Sequence, residues 1–93
     1  MGRPTKKGQV KSLHDGAYAH VVAVLVQKRK SAGLSQQELA DRLGWQQSIV
    51  AKIETVQRRM DVVEFLRIAN AVGFDPIRLI KDVRAELLDR GWL

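Results

Sequence analysis

Between Gly44 and Glu54 the chain reads Trp-Gln-Gln-Ser-Ile-Val-Ala-Lys-Ile, and its polar residues are the ones equipped for chemistry. Gln46, Gln47, Ser48 and Lys52, beside the small Ala51, are short or hydrogen-bonding side chains with no carboxylate among them. That set suits contact with the edges of nucleic-acid bases. A glutamine can bond two atoms of adenine, a serine adapts to several partners, and a lysine reaches guanine or phosphate. An acid there would meet phosphate repulsion. The plainer reading of the same residues is a solvated helix face, so their placement decides between the two.

Two short helices are expected to provide that placement. Ser35 opens the first as an N-cap, with Glu38 three residues on to complete a capping box. Leu39, Ala40 and Leu43 supply its buried side, and Gly44 allows the backbone to reverse sharply. The second runs over about 46–54 with Ile49, Val50 and Ile53 inward, which leaves Gln46, Gln47, Ser48, Ala51 and Lys52 outward. Ala40 is small enough to let two helices approach closely.

Three further helices enclose this pair. Tyr18, Val21, Val22, Leu25, Val26 and Arg29 recur at helical spacing, predicting a long helix over about 16–31 that ends at Gly33, with Leu34 packing back over the end. Its valines lower helix propensity, so burial must hold it. After a polar, basic loop at Thr55–Met60, Asp61 caps a fourth helix with an apolar stripe of Val62, Phe65, Leu66, Ala69 and Val72, closed by Gly73. Asp75-Pro76 starts a fifth, which runs to about Arg90 with Ile77, Ile80, Val83, Leu87 and Leu88 on one side. No repeat or strand-like alternation occurs, so the fold expected is all-α.

Composition narrows the function classes. The 93 residues allow one small domain, and 45 % hydrophobic content is too high for a disordered chain. The absence of cysteine excludes disulfides, cysteine-based zinc sites and thiol catalysis. His14 and His20 have no metal-binding spacing, and Ser31, Ser35 and Ser48 lack a nucleophile elbow, so no metal, cofactor or enzymatic activity is expected. No apolar run approaches a membrane span or a signal-peptide core, which makes a cytoplasmic, nucleoid-associated protein the expectation. Sixteen basic against ten acidic residues give a net charge of +6, favouring a polyanionic partner.

The chain resembles the phage repressor and Cro family of helix-turn-helix regulators, the XRE type. The resemblance rests on Arg29, Leu34-Ser35-Gln36-Gln37-Glu38-Leu39-Ala40, Gly44, Ile53-Glu54, Phe65-Leu66-Arg67-Ile68-Ala69 and Gly73, and covers about residues 18–74. It implies a five-helix, lambda-repressor-like bundle whose third helix lies in the major groove of double-stranded DNA. By the same resemblance Gln46, Gln47, Ser48 and Lys52 face the groove, and Gln36, Thr55, Arg58 and Arg59 contact phosphate. Arg29 and Glu54 form an ion pair between the first and third helices. Val56 stands where the family usually has glycine and Met60 where proline is common, so a different loop path is expected beyond the third helix.

Three regions follow: a flexible basic arm at 1–16, a helix-turn-helix domain at 17–74, and a C-terminal helix at 75–93. Arg3, Lys6 and Lys7 in the arm could enter a minor groove or serve only solubility. Ile77, Ile80, Val83, Leu87, Trp92 and Leu93 are expected at a homodimer interface, with completion of the domain's own core as the other reading. Regulators of the class generally dimerise so that two helices meet successive major grooves about 34 Å apart. The leading expectation is a homodimeric regulator of a pseudo-palindromic operator, repressing by occlusion because no sensing domain is present. The alternative is an antitoxin or anti-activator of the same fold that chiefly binds a partner protein.

Overall fold

The computed structural model describes residues 16–93. Five helices follow one another: α1 (Gly16–Ser31), α2 (Gln36–Leu43), α3 (Gln47–Glu54), α4 (Val62–Val72) and α5 (Pro76–Asp89). The expected all-α, five-helix fold is present.

Helix starts are set by local polar chemistry. Ser35 and Asp61 each accept the backbone N–H of the residue three positions on, and Glu38 and Glu64 return the bond to the cap's own N–H. Two orphan amides are thereby satisfied at each start. Asp75 accepts from the N–H groups of Ile77 and Arg78 ahead of the Pro76 that opens α5.

All five helices end in the same closure, in which the residue after a left-handed position bonds to the carbonyl five residues back. The pairs are Leu34 to Arg29, Trp45 to Ala40, Gln57 to Lys52, Phe74 to Ala69 and Trp92 to Leu87. Four of these closures use glycine, and α3 uses Val56, at φ 62°. A β-branched residue there is strained, because Cβ crowds the backbone. The loop beyond α3 was expected to depart from the family path; instead Val56 takes up the left-handed conformation that glycine favours.

The core forms in two parts. Leu39, Ala40, Val50 and Ile68 join α2, α3 and α4. Ala40 is wholly buried, as close helix approach demands. Leu25, Phe65, Leu79, Val83 and Leu87 join α1, α4 and α5, while Met60 and Phe74 pack against both groups. His20 Nε2 lies 2.6 Å from Glu86 Oε1, a further tie between α1 and α5.

The expected stripes of the last two helices need correction. In α4 the buried residues are Phe65, Ile68 and Ala69, whereas Val62 and Leu66 are exposed. In α5 they are Leu79, Val83 and Leu87, whereas Ile77, Ile80 and Leu88 are exposed. Both helices carry apolar residues on more than one side, so two overlapping stripes satisfy helical spacing. The neighbouring helices select between them. Val83 and Leu87, expected at an interface between copies, therefore belong to the chain's own core. Ile49, expected inward, is half-buried.

Candidate nucleic-acid interface

Helix α3 is fixed from behind. Arg29, 7 % exposed, donates from Nε to Glu54 Oε2 at 2.6 Å and from Nη2 to Glu54 Oε1 at 2.8 Å, with a third bond from Nη1 to the Leu34 carbonyl. This is the expected ion pair between α1 and α3. Removing one member of such a buried pair leaves the other charge uncompensated and costs about 3–5 kcal/mol.

The pair continues outward. Gln36 Nε2 donates to Glu54 Oε1 at 2.9 Å, and Gln36 Oε1 accepts from Gln47 Nε2 at 2.7 Å. Each amide has one donor end and one acceptor end. The Glu54 carboxylate therefore fixes which way Gln36 points, and Gln36 fixes Gln47. Gln47 is left with its Oε1 and one N–H, an acceptor and a donor side by side, which is the pattern complementary to adenine N6 and N7.

Gln46, the N-cap of α3, makes no side-chain capping bond, and Gln46, Ser48 and Lys52 are exposed. With Gln47 they run from the N-cap to the last turn of one short helix, so the four residues singled out by type share that element. Trp45, beside them, is half-buried and packs on the core group of Leu39, Ala40, Val50 and Ile68.

The loop after α3 is held by bonds that the sequence did not suggest. Arg58 is bound bidentately to Glu64, Nη2 to Oε2 at 2.7 Å and Nη1 to Oε1 at 3.2 Å. This bond raises the guanidinium pKa further and holds the Glu64 carboxyl below its ordinary value. Arg58, expected on phosphate, is thus engaged by an acid of the α4 capping box. The guanidinium of Arg59 lies 4.2 Å from the centre of the Tyr18 ring, and the Tyr18 hydroxyl accepts the Met60 N–H at 3.1 Å. Thr55 Oγ1 donates to the Ala51 carbonyl and accepts from Gln57 Nε2. Arg42 Nη1 reaches the Ala71 carbonyl near the end of α4. Only the acid three residues after Asp61 was a sequence cue; Tyr18 and Arg42 act over distances that no motif encodes.

Arg3, Lys6 and Lys7 lie outside the described residues. Among the described residues no group of His, Cys, Asp or Glu is arranged to hold a metal ion, and no helix is long and apolar enough to cross a membrane.

Two short helices joined by a left-handed glycine, the second with no carboxylate on its exposed side and braced from behind by the Arg29–Glu54 ion pair, define a helix-turn-helix DNA-binding regulator. Comparison with known proteins agrees. The family model described as a helix-turn-helix domain matches residues 21–79. An XRE-family like protein from Pseudomonas syringae pv. tomato str. DC3000 has a similar structure, with a TM-score of 0.76 and 39 % identity, covering 81 % of this chain and 92 % of that one. A search of the curated proteins returned no match. The chain belongs to the XRE-type helix-turn-helix family of DNA-binding regulators.

Proposed function

We propose that the chain binds a pseudo-palindromic double-stranded operator as a homodimer, with α3 in the major groove, and represses by occupying a promoter. The observation that carries this reading is the hydrogen-bonded series Arg29–Glu54–Gln36–Gln47, which holds a base-reading amide in one orientation before DNA arrives. Preorganisation of this kind lowers the ordering cost of binding. Gln46, Gln47, Ser48 and Lys52 contact bases. Gln36, through its remaining N–H, and Arg59 contact phosphate, while Arg58 and Thr55, whose hydroxyl hydrogen is given to the Ala51 carbonyl, position the loop. Occlusion requires only occupancy of the site, so no further activity is needed for repression.

The test begins with selection of a cognate site from random DNA. Gln47→Ala is expected to weaken binding to that site by about 1–3 kcal/mol and leave binding to unrelated DNA nearly unchanged. Equal losses on both DNAs would remove the base-reading role. The exposed apolar side chains of α4 and α5 favour a second reading, an antitoxin or anti-activator that chiefly binds another protein. In that case Gln47→Glu with Lys52→Glu would leave the main activity intact.

A further inference from the structure

The loop between α3 and α4 holds two adjacent arginines by different means. Arg58 is engaged along the edge of its guanidinium, where Nη1 and Nη2 donate to the two carboxylate oxygens of Glu64. Arg59 is exposed, and its guanidinium carbon stands over the Tyr18 ring, 4.2 Å from the centre. A guanidinium over an aromatic ring is attracted through its flat side, whereas its N–H donors spread in the plane. The same tyrosine also holds the next residue, because its hydroxyl accepts the Met60 N–H at 3.1 Å. At the other end of the loop the N–H groups of Gln57 and Arg58 both bond to the Lys52 carbonyl. Arg59 therefore stands between two backbone anchors, one from α3 and one from α1.

We propose that Tyr18 is a positioning residue for DNA binding, its half-buried ring holding the Arg59 guanidinium ready for a backbone phosphate; this rests on the phosphate contact proposed for Arg59 above. The chemistry of the two arginines divides their tasks. Glu64 fills the fork of Arg58 that a phosphate would use, and its own charge repels phosphate. Tyr18 holds Arg59 through the face and brings no negative charge. A long arginine side chain loses rotamer freedom when phosphate fixes it, and one already held over a ring loses less. Tyr18 also belongs to the helix that braces α3 through Arg29 and Glu54. One rigid element, α1, thus fixes both the base-facing helix and the cation beside it. Phosphate contacts set the register in which bases are met, so the span between Arg59 and α3 bears on which bases α3 reaches.

The test is a double-mutant cycle on the full chain, with a duplex carrying the selected site and an unrelated duplex of equal length as probes. Arg59→Ala is expected to weaken binding to both by one common factor and to reduce the salt slope by about one. Tyr18→Leu should weaken binding about threefold in the wild-type chain and by nothing further in the Arg59→Ala chain. Tyr18→Phe keeps the ring and should restore most of that loss, while melting below wild type for want of the Met60 bond. Circular dichroism checks that each variant is folded. A measurement on the unsubstituted chain without DNA stands beside the cycle: the ring current of Tyr18 should shift the Arg59 side-chain protons upfield. Unshifted protons overturn the proposal, as does an equal cost of Tyr18→Leu with and without Arg59, or a loss in Tyr18→Phe as large as in Tyr18→Leu. If Arg59→Ala changes neither affinity nor slope, the phosphate contact itself falls and the proposal with it. A slope lowered by Arg59→Ala but untouched by Tyr18→Leu overturns the positioning role alone.

Discussion

Val56 and Gln47 show how single residues are constrained in and beside α3. A non-glycine residue in left-handed backbone costs about 1–2 kcal/mol, and at φ 62° Val56 bears that cost to close α3. Val56→Gly removes it but adds freedom to the unfolded chain, so a net gain of about 0.5–1 kcal/mol is expected. A urea midpoint that rises without a change in slope would show the gain, and a fall would mean that the valine side chain contributes more than its backbone loses. Gln47 is constrained differently, by a neighbour that has itself been oriented. Gln36 was expected on phosphate; its side chain also links Glu54 to Gln47.

Helix ends are the corresponding feature among the elements. Glu38 and Glu64 each hold a capping N–H, and both carboxyls lie below their ordinary value, Glu38 chiefly through the Ser35 backbone bond and Glu64 chiefly through Arg58. A carboxyl whose value is lowered on folding stabilises the fold fully above its unfolded value. That contribution is lost as pH falls through the folded value. The melting temperature is therefore expected to be level near neutral pH and to fall below about pH 4.5. Glu64→Gln should keep the cap geometry, lose the Arg58 ion pair and remove part of that acid-side decline. A profile identical to wild type would show that the Arg58–Glu64 pair contributes nothing in solution, as many surface pairs do.

Over the whole molecule, charge and apolar surface are divided between two tasks. The net charge of +6 suits phosphate, and the basic residues Arg3, Lys6, Lys7 and Lys11 precede α1 in sequence. Deleting residues 2–11 is expected to reduce the salt dependence of DNA binding by about one unit of slope for each phosphate those residues neutralise. An unchanged slope would assign them to solubility. The apolar surface lies instead on α4 and α5, where Val83 and Leu87 of the expected α5 stripe turned inward and Ile77, Ile80 and Leu88 remained outside.

Most of the residues that start and stop the helices were determined by the sequence itself, the closure of α3 at Val56 being the exception. Ser35 with Glu38, Gly44, and Asp75 with Pro76 act on backbone groups within one turn, so adjacent residues suffice to reveal them. The proposed reading face could be picked out for the same reason: its residue types and their order all lie within one short segment. Only the tertiary structure decided which of two apolar stripes α4 and α5 bury, that Arg58 turns to Glu64, that Tyr18 holds the loop from α1, and that Glu54 orients Gln47 through Gln36. On a helix apolar on several sides, periodicity permits more than one inward face. The choice falls to the packed neighbour, and side-chain partners many residues apart leave no pattern along the chain.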